Sequence, residues 1–207
     1  MSATTGLHGM LPAPRHLHCQ LPIPFLCSAF VCKKRPVSTH RPRARPILVE
    51  APMKFTDLLS DAHIVVADAP ADKTAAIALL VNTLHDRGML VRPQDALSLV
   101  LEREAEYPTG IGCGVAIPHA NTWATEEPFV ALGIFRSGLD FGAPDGQAAT
   151  VLVLLLTATG MTSTHLKLLA RISRLAKHGL AERVAGLSES AAILHALENC
   201  EHDFLDI

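Results

Sequence analysis

The residues best suited to chemistry lie in one short glycine-rich segment and at two positions outside it. The segment runs Thr-Gly-Ile-Gly-Cys-Gly-Val-Ala-Ile-Pro-His from Thr109 to His119. Gly110, Gly112 and Gly114 permit tight turns, and they let backbone amides approach an anion closely. The segment lacks the Lys-Ser/Thr of a P-loop and the glycine spacing of a dinucleotide fingerprint. It is therefore an anion-binding candidate or simply a turn, and it gives little support to a nucleotide site.

Two histidines and one arginine supply reactive or charged groups: His119 ends the segment, and Arg103 and His165 lie outside it. His119 follows Pro118 at the end of a short apolar strand. A neutral imidazole there can act as a nucleophile, a base or a ligand, or lie on the surface without a chemical role. His165 shares a helix face with apolar residues, which favours a buried or edge position. Arg103 lies near a helix end, where a cation also stabilises the helix dipole.

The elements that must position these groups alternate between helices and strands. Periodicity, capping residues and glycine stops predict helices over residues 55–60, 72–87, 93–106, 165–177 and 188–198. Strands are predicted over 63–66, over a short stretch ending at 119, and over the apolar runs 129–135 and 150–157. This alternation predicts a layered α/β domain, but it does not give the strand order.

Composition divides the chain near Pro52. Residues 1–52 carry a net charge of +6 and eight of the 14 prolines, whereas residues 53–207 carry a net charge of −8. Frequent prolines exclude long helices and central strands from the first part. We therefore expect residues 1–52 to be a Pro/Arg-rich extension, disordered or upstream of a natural start at Met53. Residues 53–207 are expected to form the folded domain.

Several function classes are disfavoured by composition. The apolar run from Val151 to Leu156, like every other uninterrupted apolar run in the sequence, is too short to cross a bilayer, so direct membrane insertion is not expected. The net charge of −2 and the lack of a basic stripe in the body of the chain argue against nucleic-acid binding. Five cysteines, an odd number with no evident pairing, favour reduced thiols and a cytoplasmic location.

Other interpretations of the first 52 residues remain open. The apolar patch from Leu21 to Cys32 has the length of a signal-peptide core, but prolines interrupt it and no small-residue cleavage site follows. The Arg-rich, acid-poor composition is also compatible with an organellar transit peptide. A group of possible metal ligands, His16, His18 and Cys19 followed by Cys27 and Cys32, matches no strong zinc spacing.

Together the residues resemble the fructose/mannitol-type enzyme IIA domain of the bacterial sugar phosphotransferase system, including its nitrogen-regulatory variant. The segment from Thr109 to His119 is similar to that family's Ser/Thr-Gly-Ile-Gly-x-Gly-(Ile/Val)-Ala-(Ile/Val)-Pro-His signature. Arg103, the helix around His165 and the opening at Phe55 match in the same order. The resemblance covers about residues 53–200. It implies an α/β fold in which helices flank a mixed β-sheet on both faces, and it leaves out the irregular N-terminal extension.

The resemblance also implies roles for individual residues. His119 is the residue that becomes phosphorylated, His165 stabilises it, and Arg103 helps hold the phosphoryl group. The Thr109 hydroxyl lies near the site, and amides of Gly110, Gly112 and Gly114 are expected to bind phosphate. Phosphoryl transfer mainly requires positioning and charge stabilisation, so no metal and no cofactor are expected. Cys113 departs from the polar residue expected between two of the glycines, and we interpret it as a neutral replacement.

The implied function is that of a phosphocarrier. The phosphoryl donor is the histidine phosphocarrier protein or its nitrogen-branch paralogue. The acceptor is a IIB domain in sugar uptake, or the phosphorylation state regulates a protein target. A non-catalytic binding module with the same fold is the alternative. A zinc hydrolase built on His119 and His165 lacks a third ligand at convincing spacing.

Overall fold

The described part of the chain, residues 53–68 and 70–205 of a computed structural model, contains in order one strand, two helices, five strands and three helices. The extension predicted over residues 1–52 lies outside the described residues. Two short 3-10 turns, Thr56–Leu58 and Asp61–His63, precede the first strand. The strands are β1 (Ile64–Ala67), β2 (Gly110–Gly112), β3 (Val115–Ala116), β4 (His119–Thr122), β5 (Phe129–Leu139) and β6 (Ala149–Ala158). The helices are α1 (Lys73–Asp86), α2 (Pro93–Glu106), α3 (Thr162–Lys177), α4 (Leu180–Val184) and α5 (Ser190–Leu205).

The strands form one mixed sheet in the order β1-β5-β6-β3-β2, with β4 also paired to β6. β5 and β6 pair in antiparallel orientation. β1 pairs with β5 in parallel orientation, and β3 and β4 both pair with β6 in parallel orientation. β3 and β4 are two parts of one interrupted strand, because Val115 lies opposite Val151 and His119 lies opposite Leu155 in the same register. Pro118 lies in the interruption, and its missing N–H cannot join a ladder.

The sheet is buried on both faces, as the apolar run in β6 predicts. Successive residues of β6 point to opposite faces. Leu152, Leu154 and Leu156 pack with α1 and α2, whereas Val151, Val153 and Leu155 pack with α3, α4 and α5. The predicted α/β class, with helices on both faces of a mixed sheet, is therefore confirmed. No helix within residues 53–68 and 70–205 is long and apolar enough to cross a membrane.

Several helix boundaries differ from the sequence prediction. α3 begins at Thr162 and not at His165, so His165 lies in its first turn with its N–H donating to the Met161 carbonyl. The short helix α4 was not predicted. The last helix, predicted over 188–198, begins at Ser190 and ends at Leu205, and the Ser188 hydroxyl accepts a hydrogen bond from Arg136.

Candidate active site

His119 presents one ring nitrogen for chemistry. It opens β4 directly after Pro118, and its Nδ1 lies 2.7 Å from the Ile117 carbonyl oxygen. A carbonyl only accepts hydrogen bonds, so Nδ1 carries the proton and Nε2 keeps its lone pair. Burial lowers the pKa of His119 most strongly, and Arg103 lowers it further, against the raising effects of the Ile117 carbonyl and of Glu104. The ring is therefore neutral at pH 7 and has the protonation state of a nucleophile.

His165 lies beside it in the first turn of α3. The two ring centroids are 5.2 Å apart and the ring planes are tilted by 54°. His165 is buried, and its Nδ1 lies 2.8 Å from the Thr157 hydroxyl. Burial, followed by His119 and Arg103, lowers the pKa of His165 to about 4. Both imidazoles are thus uncharged at neutral pH.

A short hydrogen-bond chain extends from His165 to the edge of the sheet. The Thr157 hydroxyl donates to Asn121 Oδ1 at 2.6 Å. Asn121 and Thr157 are direct partners in the β4–β6 register, and Asn121 lies two residues after His119, so both side chains of β4 share one face. Sequence reasoning missed Asn121 and Thr157. The available signal was the two-residue spacing from His119 on a predicted strand.

A cavity of about 270 Å³ brings the predicted residues together. Its lining comprises Leu99, Arg103, His119, Ala120, Asn121 and His165. Arg103 lies in the last turn of α2; its Nη1 donates to the Tyr107 carbonyl at 2.9 Å, and its guanidinium lies 5.5 Å from the Tyr107 ring centroid. Among the described residues no cluster of three or more His, Cys, Asp or Glu side chains is arranged to hold a metal ion. One cation and two neutral imidazoles suit a small anion such as a phosphoryl group.

Thr109 is held by a buried carboxylate. Its backbone N–H and its hydroxyl donate to Glu104 Oε2 at 3.0 and 2.5 Å. Glu104 Oε1 accepts from Lys73 Nζ at 3.1 Å. The hydroxyl proton of Thr109 is therefore used within the protein, and Thr109 is not among the residues that line the cavity. Its contacts join the end of α2 to the start of the glycine-rich segment.

The glycine-rich turn also lies outside the cavity lining. Gly112, Cys113 and Gly114 have φ angles of +88°, +52° and +68°. The Cys113 N–H donates to Asp145 Oδ2 at 2.8 Å, so an internal carboxylate takes the position of an anion at this turn. At Gly110, a side chain would put its Cβ 2.7 Å from the Phe141 carbonyl oxygen. These contacts explain the glycines as turn residues, and their binding of phosphate stays a prediction.

A larger cavity of about 430 Å³ lies next to the loop that follows β4. Arg92, Trp123, Glu126 and Glu127 contribute to its lining, and no histidine does. Arg92 donates to the Trp123 carbonyl at 3.2 Å. This cavity therefore lacks a histidine that could accept a phosphoryl group.

Comparison with known proteins gives a family match over most of the folded part. The sequence model of the family described as "Phosphoenolpyruvate-dependent sugar phosphotransferase system, EIIA 2" matches residues 57–200. A fructose-specific EIIABC component of Bacillus subtilis is 36% identical over 123 residues, which is 59% of this chain but 19% of that protein. The chain therefore corresponds to about one fifth of that relative's length.

Two shorter relatives are matched over most of their length. A fructose-specific EIIA component of Haloferax volcanii is 37% identical over 115 residues, covering 56% of this chain and 75% of that protein. A nitrogen regulatory protein of Bradyrhizobium diazoefficiens is 31% identical over 147 residues, covering 70% of this chain and 95% of that protein.

Solved structures share the fold. The nitrogen regulatory protein IIA-Ntr of Neisseria meningitidis aligns with a TM-score of 0.62 and 24% identity over 69% of this chain and 97% of its own. The Escherichia coli mannitol enzyme IIA, in a complex with phosphorylated enzyme IIB, aligns with a TM-score of 0.58 and 20% identity over 68% of this chain and 97% of its own.

Proposed function

The chain belongs to the EIIA 2 family of the phosphoenolpyruvate-dependent sugar phosphotransferase system, and on that premise we propose that His119 carries a phosphoryl group on Nε2. The observation that carries the proposal is the hydrogen bond from His119 Nδ1 to the Ile117 carbonyl. It leaves Nε2 as the free ring nitrogen in a cavity shared with His165 and Arg103.

The proposed transfer step is a direct displacement at phosphorus. The lone pair of His119 Nε2 forms the new P–N bond while the bond from phosphorus to the donor's ring nitrogen breaks. The electron pair of that bond returns to the donor ring, which leaves as neutral imidazole when its other nitrogen is protonated. The proton of His119 stays on Nδ1 and is donated to the Ile117 carbonyl, and this hydrogen bond stabilises the positive charge that the phosphorylated ring acquires.

The neighbouring groups stabilise charge on the phosphoryl oxygens. The Arg103 guanidinium is fixed at one edge by Tyr107 and supplies its remaining N–H donors to the anion. His165 is neutral in the resting protein, so it adds no second positive charge that would lower the nucleophilicity of His119. A dianion beside it favours the protonated form, and His165 then donates to the phosphoryl group.

The partners follow from the family. We propose that the donor is the histidine phosphocarrier protein or its nitrogen-branch paralogue, and that the chain acts in the cytoplasm. The acceptor is a IIB domain or a regulated protein. The complex of a mannitol enzyme IIA with phosphorylated enzyme IIB supports the first acceptor. The match to 95% of a nitrogen regulatory protein supports the second.

The carrier unit is residues 53–207 in this proposal. The family match over 57–200 and the fold described over 53–68 and 70–205 support that boundary. If it is right, a chain that begins at Met53 accepts phosphate at the rate of the full chain. A loss of activity on removing residues 1–52 would assign them to the carrier unit.

Intact-mass spectrometry of the full chain tests the proposal. The chain is incubated with phosphoenolpyruvate, enzyme I and either the sugar-branch or the nitrogen-branch phosphocarrier. We expect the mass of one acid-labile phosphate to be added, and none to be added to His119→Ala. No phosphate from either donor would favour the non-catalytic binding module.

A further inference from the structure

The His165 ring is held by a hydrogen-bond chain with a defined direction. Asn121 Oδ1 can only accept, so the 2.6 Å contact uses the single proton of the Thr157 hydroxyl. The Thr157 oxygen then offers only lone pairs to His165 Nδ1, which lies 2.8 Å away. The proton of neutral His165 must therefore be on Nδ1.

We propose that Asn121 and Thr157 are positioning residues for phosphoryl transfer, because they fix the tautomer of His165 that presents Nε2 to the phosphoryl group on His119. This inference rests on the proposed function of His119. Nδ1 is occupied by the buried hydroxyl, so Nε2 is the nitrogen that remains for the cavity that His165 lines. Thr157 and Asn121 act through His165; Asn121 also lines the cavity, whereas Thr157 does not.

The fixed tautomer determines where a proton binds. The groups that act on His165 are His119 from β4 and Arg103 from α2, together with Thr157 from β6. In the resting protein these surroundings favour the neutral ring. When the phosphoryl dianion arrives, Nε2 takes up a proton from the buffered solvent and keeps it while hydrogen-bonding to a phosphoryl oxygen, and the Nδ1–H remains hydrogen-bonded to the Thr157 hydroxyl oxygen. No other bond is made or broken by this step.

The strand pairing holds the hydrogen-bonded groups Asn121, Thr157 and His165 in place. Asn121 and Thr157 are direct neighbours across a parallel strand pair, so the sheet fixes their separation. Thr157 is fully buried, which shields its two hydrogen bonds from competing water. Asn121 is exposed, so replacing it disturbs little packing.

Long-range ¹H–¹⁵N correlation spectra of the full, unphosphorylated chain test the tautomer directly. The His165 signals among the 11 histidines are assigned by their loss in His165→Gln. We expect protonated Nδ1 and bare Nε2 in the native chain. Asn121→Ala frees the Thr157 proton to turn toward His165, so the ring proton should shift to Nε2. A proton on Nε2 in the native chain, or an unchanged tautomer in Asn121→Ala, would overturn the proposal.

Transfer kinetics supply the second readout. Thr157→Val should slow phosphoryl acceptance on the order of 10- to 100-fold, and Thr157→Ser should restore it. Thr150→Val, the same change in the same strand, is the matched control and should leave the rate unchanged. If Thr157→Val does not fold, the exposed Asn121→Ala carries the test. A native chain that accepts no phosphate contradicts the proposed function, whereas normal acceptance with the wrong tautomer contradicts only this inference.

Discussion

His119 and His165 face each other with ring centroids 5.2 Å apart, and each ring has its Nδ1 engaged elsewhere, by the Ile117 carbonyl and the Thr157 hydroxyl. The two rings thus share one cavity while neither Nδ1 is available to it. A phosphoryl group on His119 Nε2 would therefore lie next to the remaining nitrogen of His165. This relationship underlies the following predictions.

Replacing His165 should slow transfer without abolishing it. In His165→Ala the nucleophile is intact, but the phosphoryl oxygens lose one hydrogen-bond donor. We expect the rate of phosphate acceptance to fall on the order of 100-fold, as for the loss of one preorganised donor. Rapid-quench measurements with a fixed concentration of phosphorylated donor determine the rate. An unchanged rate would remove His165 from the mechanism.

Arg103 should matter through both its charge and its shape. Arg103→Ala removes the cation of the cavity and should slow phosphate acceptance on the order of 100-fold. Arg103→Lys should recover only part of the rate, because an ammonium lacks the planar fork. Arg92→Ala, an arginine of the larger cavity, is the control and should react normally.

Arg103→Ala should also change the pKa values of His119 and His165. Arg103 lowers the pKa values of both His119 and His165. In Arg103→Ala both pKa values should rise toward the ordinary value of 6.5, as followed by NMR. Unmoved pKa values would contradict the placement of the guanidinium near the rings.

Acid should destabilise the fold through His165. Its pKa is about 4 in the folded state and 6.5 ordinarily, so the unfolded chain binds the proton more tightly. Stability from this group is present above pH 6.5 and is lost as the pH falls toward 4. Between pH 7 and pH 4.5 the loss is roughly 2 kcal/mol. Urea unfolding of His165→Gln should lack this part of the pH dependence, and an equal dependence in both proteins would contradict the assignment.

Glu104 should contribute to stability. The buried carboxylate accepts from the N–H and hydroxyl of Thr109 and from Lys73. In Glu104→Gln one of these donors meets an amide N–H₂, which costs about 2–3 kcal/mol in the free energy of unfolding. Glu106→Gln, an exposed position in the same helix, should change it little. Equal urea midpoints for the two variants would argue against this role for Glu104.

Sequence analysis identified the main side chains of the candidate site but not the hydrogen bonds that hold the surrounding residues in place. The order of motifs along the chain identified His119, His165 and Arg103 as candidates, and the structure places all three in the lining of one cavity. Thr109 was expected at the phosphate, yet its hydroxyl donates to Glu104, a contact that depends on how α2 ends. The helix face of His165 was predictable from periodicity because burial follows the 3.6-residue repeat.

Long-range pairing explains what could not be predicted. Asn121 and Thr157 are 36 residues apart and meet only because β4 and β6 pair in parallel. Neither residue is unusual in its own strand, so local pattern gives no reason to connect them. The strand order likewise depends on crossovers such as β1 to β5, which no local pattern encodes.

The most direct test of the account is the position of phosphorus on the phosphorylated full chain. A ¹⁵N-labelled sample is phosphorylated with phosphoenolpyruvate, enzyme I and the histidine phosphocarrier protein, and phosphorus–nitrogen coupling is measured by NMR. We expect coupling to Nε2 of His119, with Nδ1 of the same ring still protonated. Coupling to Nδ1 of His119, or to a nitrogen of any other histidine, would contradict it.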